Sequence, residues 1–230
     1  SRCAEAARKA RTDMADTSDF ERLLREMEAY AAEYHVPIIN ENGRKVFLSV
    51  IREVRPHRVL EIGTAIGYSA LLLAANGAAD AQVTTLELSE ERAALAHSFI
   101  ARSPYEGRIE ILQGDAGELL TELEGPYDFV FIDAAKGQYV DYFEKVQPLL
   151  TADATIVADN VLFRGYVMGK EKAPRRYRTI VKRLRRYIEL TSHAAGYETE
   201  IFERGDGLAV SRRCPAANES NRLSEEYHTC

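Results

Sequence analysis

Three short stretches carry side chains whose types and spacing could do chemistry: "FIDAAKGQY" around Asp133 and Lys136, "VADN" ending in Asp159 and Asn160, and "LEIGTAIGYSA" around Gly63 and Gly67. Asp133, Asp159 and Asn160 offer hard oxygen donors with no Cys or His among them, a set that selects Mg²⁺ or a similar hard cation. Three protein ligands leave about three of its roughly six positions to water and substrate, so such a site is open to chemistry. A simple turn is the other reading of Asp159 and Asn160, and it weakens beside Asp133. Lys136 follows Asp133 in the same stretch. A lysine near a divalent cation has its pKa lowered by like-charge repulsion, so it could take a proton from a substrate hydroxyl. A surface ion pair is the other role open to it.

The residues leaving the other apolar runs describe a partner for that site. Gly63 and Gly67 permit close backbone approach to a ligand at a strand-to-helix turn, but their G-x-x-x-G spacing is not the G-x-G-x-x-G of dinucleotide sites. Glu87 stands 20 residues beyond Gly67, where a carboxylate accepts from ribose hydroxyls. Asp115 suits an adenine amino group, or simply the cap of a helix. With Asp133, three acids end successive strands. That favours a cationic, phosphate-free nucleoside such as S-adenosylmethionine and repels a pyrophosphate.

Such residues need elements that bring strand ends together. Candidate strands lie at 58–62, 82–87, 109–114, 127–133, 154–159, 197–202 and 207–212, and helices near 67–76, 89–102, 115–123, 138–149 and from Pro174 to about Ser192. The alternation predicts an α/β, Rossmann-like fold with a seven-stranded, mostly parallel sheet. Only "ERGD" separates the last two strands, too short for a parallel crossover, so the last strand should run antiparallel to its predecessor. An amphipathic helix is expected from Ser18 or Asp19 to about Tyr34, with Phe20, Leu23, Leu24, Met27 and Tyr30 or Ala31 on one face. A second, 41–54, carries Val46, Phe47, Val50 and Ile51 and is closed by Pro56. The expected organisation is a flexible N-terminus (1–17), N-terminal helices (18–56), a cofactor-binding domain (57–213) and a mobile tail (214–230).

Composition bounds the rest. Of 230 residues, 46% are hydrophobic and 29% charged, with 14 Gly and 3 Cys, which excludes a disordered chain, a collagen and a disulfide scaffold. No apolar run reaches the ~18 to 20 residues that cross a bilayer, and no secretory signal stands at the start, so the expectation is a cytoplasmic protein without a membrane partner. Cys3, Cys214 and Cys230 lack C-x-x-C spacing and read as free thiols. The five histidines have no ligand spacing. Between Arg164 and Ile188, ten Lys and Arg face a single acid, Glu171, although the whole chain carries a net −6. A polyanion would be steered to that face; a solvated helix surface is the plainer reading.

In order along the chain, "VLEIGTAIGYSA", "FIDAAKGQY", "ADNVLFRG" and "GDGLAVSRR" resemble the cation-dependent O-methyltransferases, which include catechol and caffeoyl-CoA enzymes. From about Tyr30 to Arg213 the chain most resembles the bacterial branch that converts 5-hydroxyuridine to 5-methoxyuridine at the tRNA wobble position. The resemblance implies a class I methyltransferase fold and Mg²⁺ held by Asp133, Asp159 and Asn160. It implies S-adenosylmethionine contacts at Ile39, Ser69, Glu87, Asp115, Ala116 and Asp133, together with Glu61, Gly63 and Gly67 of the first motif. Lys136 becomes the base, and a homodimer is common in the group. Arg164, Lys172, Arg175, Arg176, Arg178, Lys182, Arg183 and Arg186 become candidates for phosphate contacts to the tRNA anticodon loop. The first ~18 residues and those after Arg213 do not match. The competing readings are a small-molecule catechol or caffeoyl-CoA-like acceptor, and an NAD-binding oxidoreductase or non-catalytic binding protein.

Overall fold

Seven runs rich in β-branched and large apolar residues form one sheet: β1 Arg58–Ile62, β2 Gln82–Glu87, β3 Ile109–Gln113, β4 Tyr127–Ile132, β5 Leu150–Asp159, β6 Tyr197–Phe202 and β7 Leu208–Arg213. The computed structural model describes residues 2–169 and 171–214, with side chains from Ser18 onward; Lys170 and the expected tail from 215 lie outside the described residues. The strand order is β3-β2-β1-β4-β5-β7-β6. Every pairing is parallel except the two made by β7, which enters between β5 and β6. The expected reversed last strand is present, and the short turn before it permits the hairpin.

Among the described residues, seven α-helices accompany the sheet: α1 Arg2–Glu33, α2 Glu41–Val54, α3 Tyr68–Asn76, α4 Glu90–Ile100, α5 Ala116–Leu119, α6 Tyr139–Val146 and α7 Arg178–His193. Two bounds correct the sequence reading. Helix α1 begins at Arg2, so Ser18 and Asp19 lie inside it and do not cap it. The preceding stretch holds five Ala and three Arg and no Pro or Gly, a composition that propagates a helix. Helix α5 is a single turn and does not run to 123. Helix α2 starts where the Asn40 side chain accepts from the Gly43 N–H at 3.0 Å and stops at a left-handed Arg55 just before Pro56.

Alternation along each strand divides the core into two layers. Val59, Val83, Phe129, Phe131, Val157 and Val210 point to one face, where they meet α1 to α4 through residues such as Met27, Phe47, Leu71 and Ile100. Leu60, Ile62, Val130, Ile132, Ile156 and Ala209 point to the other, against Phe143, Val146, Leu184 and Tyr187. Each fully buried side chain of this size contributes about 1.5 to 3 kcal/mol relative to exposure. Leu23, Met27 and Ala31 of α1 share the first layer, so the N-terminal helices are built into the sheet's own core. Arg44 of α2 ties them together, donating to Glu28 of α1 and meeting the Tyr68 hydroxyl at the start of α3.

Candidate active site

Ile62 is level with Leu86 and with Ile132, and Ile132 is level with Ala158. One residue further on, Glu87, Gly63, Asp133 and Asp159 therefore stand in one row at the carboxyl ends of β2, β1, β4 and β5. Open α/β sheets bind ligands at this edge. The glycine in the row is forced by its neighbour: at φ +105° its Cβ would lie 2.2 Å from the Asp133 carbonyl oxygen. Gly67, at φ +84°, would press a Cβ onto Ile100 at 3.0 Å. Close packing against the end of β4 and against α4 thus accounts for both glycines, where the sequence reading gives them to ligand approach.

A cleft of about 350 Å³ opens over the row. Gly63, Glu87, Asp115, Ala116, Asp133, Lys136 and Asn160 of the expected residues line it. Glu61 and Asp159 are buried beneath it, and Ser69 is half-buried in the first turn of α3. Ile39 is turned into the core, and Pro37 faces the cleft from the same loop. Sequence reasoning missed Leu88, Arg92, Gln138 and Tyr142, which also line it. Leu88 is 67% exposed, and its one signal was its place directly after the strand-ending Glu87.

The carboxylates are held in distinct ways. Glu87 accepts from the backbone N–H groups of Ala65 and Ser89, each at 2.9 Å, which fixes it and leaves lone pairs for further donors. Asp115 caps α5, its Oδ1 accepting from Gly117 at 2.7 Å and Glu118 at 3.3 Å; the capping role is therefore real. Glu61 accepts from the Thr85 hydroxyl at 2.6 Å; its buried Oε1 has no partner of good hydrogen-bond geometry among the described residues, although the Ser69 side chain stands near enough to favour the charged carboxylate. Burial, aided by the Asp133 and Glu87 charges, pushes the Glu61 carboxyl up to about 8. Burial also raises Asp133 and Asp159 above the usual aspartate range; the Asp133 charge raises Asp159 further, and Lys136 pulls Asp133 back.

Lys136 Nζ lies 3.6 Å from Asp133 Oδ1, and among the described residues it is the one cation in ion-pair contact with these five acids. The row is therefore short of positive charge and Glu61 short of a donor, as suits a cationic nucleoside. Asn160 holds a left-handed φ of +56°, a conformation Asn tolerates, and its N–H donates to Asp159 Oδ1 at 2.7 Å. Among the described residues no three His, Cys, Asp or Glu side chains gather as a metal cage. A cation here would rest on two carboxylates, the Asn160 amide and ligands from outside, a donor set and charge that fit a hard divalent ion.

The eight expected RNA-binding side chains are all exposed, but they have different neighbours. The guanidinium groups of Arg164 and Arg176 lie over the Tyr177 ring at 5.8 and 4.6 Å. Tyr177 meets Phe163 at 5.3 Å and Tyr166 at 6.2 Å, an aromatic cluster absent from the sequence reading. Lys172, Arg178 and Lys182 line a second cavity of about 430 Å³. Arg185 closes one wall of it by donating to the carbonyls of Val167 and Tyr166. Arg186 pairs with Glu189 at 3.1 Å, and Arg183 donates to the Gly137 carbonyl at 3.1 Å.

Comparison with known proteins bears on this geometry. A family model described as O-methyltransferase matches residues 14–214. The catechol O-methyltransferase of Mycobacterium tuberculosis is 36% identical over 141 residues, 61% of this chain and 64% of its own. Among solved structures, a candidate caffeoyl-CoA O-methyltransferase from Staphylococcus aureus superposes with a TM-score of 0.77 at 32% identity, covering 90% of this chain and 99% of that one. An O-methyltransferase from Bacillus cereus in complex with SAH, S-adenosylhomocysteine, has a TM-score of 0.73 at 26% identity, covering 87% and 97%.

Proposed function

Since this chain belongs to the O-methyltransferase family and is an S-adenosylmethionine-dependent O-methyltransferase of the caffeoyl-CoA and catechol type, we propose that its reaction is the Mg²⁺-assisted methylation of 5-hydroxyuridine in the anticodon loop of tRNA. The observation that carries the RNA acceptor is the run of exposed cations on the loop after Asn160 and on α7, which begins at the cleft and offers contacts that phosphates need and a free phenol does not.

The residues divide the work by position. Glu87, already fixed by two backbone amides, takes the ribose hydroxyls, and Ala116 with Asp115 borders the adenine. Glu61, with its partnerless Oε1, accepts from the donor's ammonium group. Asp133, Asp159 and Asn160 would hold the cation. Bound there, a hard divalent ion supplies a Lewis acid that lowers the acceptor hydroxyl's pKa and orients two neighbouring oxygens. In its neutral amine form Lys136 Nζ takes the proton, and Asp133 at 3.6 Å then faces the ammonium formed. Oxygen attack forms the C–O bond as the C–S bond breaks and cancels opposite charges, so exclusion of water by the buried row favours it.

Free catechol presents the same pair of adjacent oxygens, and the likeness to the Mycobacterium tuberculosis catechol enzyme favours it as the alternative acceptor. Nucleoside mass spectrometry of tRNA from cells lacking this protein separates the two. The RNA reading expects 5-methoxyuridine to vanish and 5-hydroxyuridine to accumulate; undiminished 5-methoxyuridine overturns it.

A further inference from the structure

Lys136, Gly137 and Gln138 form one 3₁₀ turn between the end of β4 and the start of α6. Such turns have poor internal hydrogen-bond geometry and hold their own shape weakly. No side chain caps this one, and its backbone bond runs from the Gln138 N–H to the Ala135 carbonyl at 2.8 Å. Support comes from α7, which packs against the turn. Arg183 Nη1 donates to the Gly137 carbonyl oxygen at 3.1 Å, across 46 residues of sequence. The residue it grips is a glycine, where a Cβ would stand 2.9 Å from the same Nη1. Gly137 has no positive φ, so the missing side chain serves the approach of Arg183 and not the backbone conformation.

We infer that Arg183 is a positioning residue for methyl transfer: by holding the Gly137 carbonyl it fixes where the neighbouring Lys136 Nζ stands against the acceptor hydroxyl. This assigns to one arginine of the basic helix a task inside the reaction, distinct from any contact with phosphate. It rests on Lys136 being the proton acceptor.

The test uses the full chain, saturating S-adenosylmethionine, and both a 5-hydroxyuridine anticodon stem-loop and catechol as acceptors. R183M should lower kcat about 10- to 100-fold, the scale of an ångström-sized misplacement, with KM for acceptor and donor held within about twofold. R183K should restore much of the loss, because an ammonium can still donate to the carbonyl. G137A, which reaches the contact from the other side, should show the same split of kcat from KM. In the K136M background, R183M should add nothing, since the two residues act as a unit. An R183M effect that persists undiminished in K136M marks a merely structural role and overturns the inference. A raised KM for the stem-loop at unchanged kcat overturns it too, and marks a phosphate contact. Normal turnover by K136M alone removes the base assignment itself, a result distinct from either.

Discussion

The hydroxyl of Tyr139 donates to the backbone carbonyl of Asp159 at 2.9 Å. Tyr139 is the first residue of α6, so the bond ties the segment leaving β4 to the end of β5, the two strands that carry the candidate cation ligands. Its ring is buried and packs edge-on against Tyr187 with centroids 5.5 Å apart. The phenol is held well above its ordinary pKa by burial, with the Asp133 and Asp159 charges adding, so it remains a donor at any working pH.

Tyr139→Phe keeps the packing and deletes that donor. A buried carbonyl left without its partner costs about 1 to 3 kcal/mol, visible as a lower urea midpoint. Loosening a ligand's support typically weakens metal affinity about 10- to 100-fold, so the Mg²⁺ concentration for half-maximal turnover should rise by that factor while S-adenosylhomocysteine binding is unchanged. An unaltered Mg²⁺ titration would break the link between this hydroxyl and the cation site.

Asp159→Asn separates stability from function. Asp159 is 1% exposed and shares its surroundings with the Asp133 carboxylate, which repels it. Removing one of two buried like charges relieves the folded protein of an unfavourable pair. The metal-free variant should melt no lower than the parent, while the rise in Tm that Mg²⁺ gives the parent disappears with turnover. A variant that keeps both the Mg²⁺-induced rise and its activity would remove Asp159 from the ligand set.

Glu61 gives a pH signature. Its carboxyl is raised from 4.5 to about 8 in the fold, first by burial. Between those values the folded state carries a proton that the unfolded state has lost, so its contribution is fully present below about 4.5 and falls away as pH rises toward 8. A one-proton difference corresponds to ~1.4 kcal/mol per pH unit at most. Glu61→Gln, neutral at every pH, should flatten the decline, so that variant minus parent stability grows from pH 5 to 8 in thermal melts of the ligand-free protein. Parallel pH profiles for the two proteins would show Glu61 ionised in the fold.

The acids of the row were legible because each ends an apolar run, and parallel registry carries such ends to a common edge. What accompanies them was not. Gly63 is required by a carbonyl 70 positions later in the chain, a contact between neighbouring strands that spacing does not encode. Pro37 rather than Ile39 faces the cleft, because a loop with no periodicity gives no rule for which side chain turns inward. Helical spacing marks Arg183 as solvent-facing, as it is, yet cannot say that a turn carbonyl from another segment meets it there. Spacing gives no sign of the cluster of Tyr166 and Tyr177, because their partner ring, Phe163, and Arg164 over Tyr177 come from an irregular loop.

The RNA reading predicts a salt dependence confined to one acceptor. Arg175, Arg176 and Arg186 are exposed and free of the catalytic turn, whereas Arg183 is not and is left in place. Their present contacts are weak ones: the Arg186 pair with Glu189 is an exposed ion pair, worth about 0 to 1 kcal/mol, and Arg176 over Tyr177 contributes about 0.5 to 1 kcal/mol. Reversing all three to Glu should therefore leave the fold intact. For a single-stranded loop each phosphate contact adds about 0.7 to the slope of log affinity against log salt. The triple variant should lose stem-loop affinity and about two units of that slope, with catechol turnover unchanged. If both acceptors decline together, or the slope stays where it was, the basic face does not hold RNA, and the cleft serves a small diphenol.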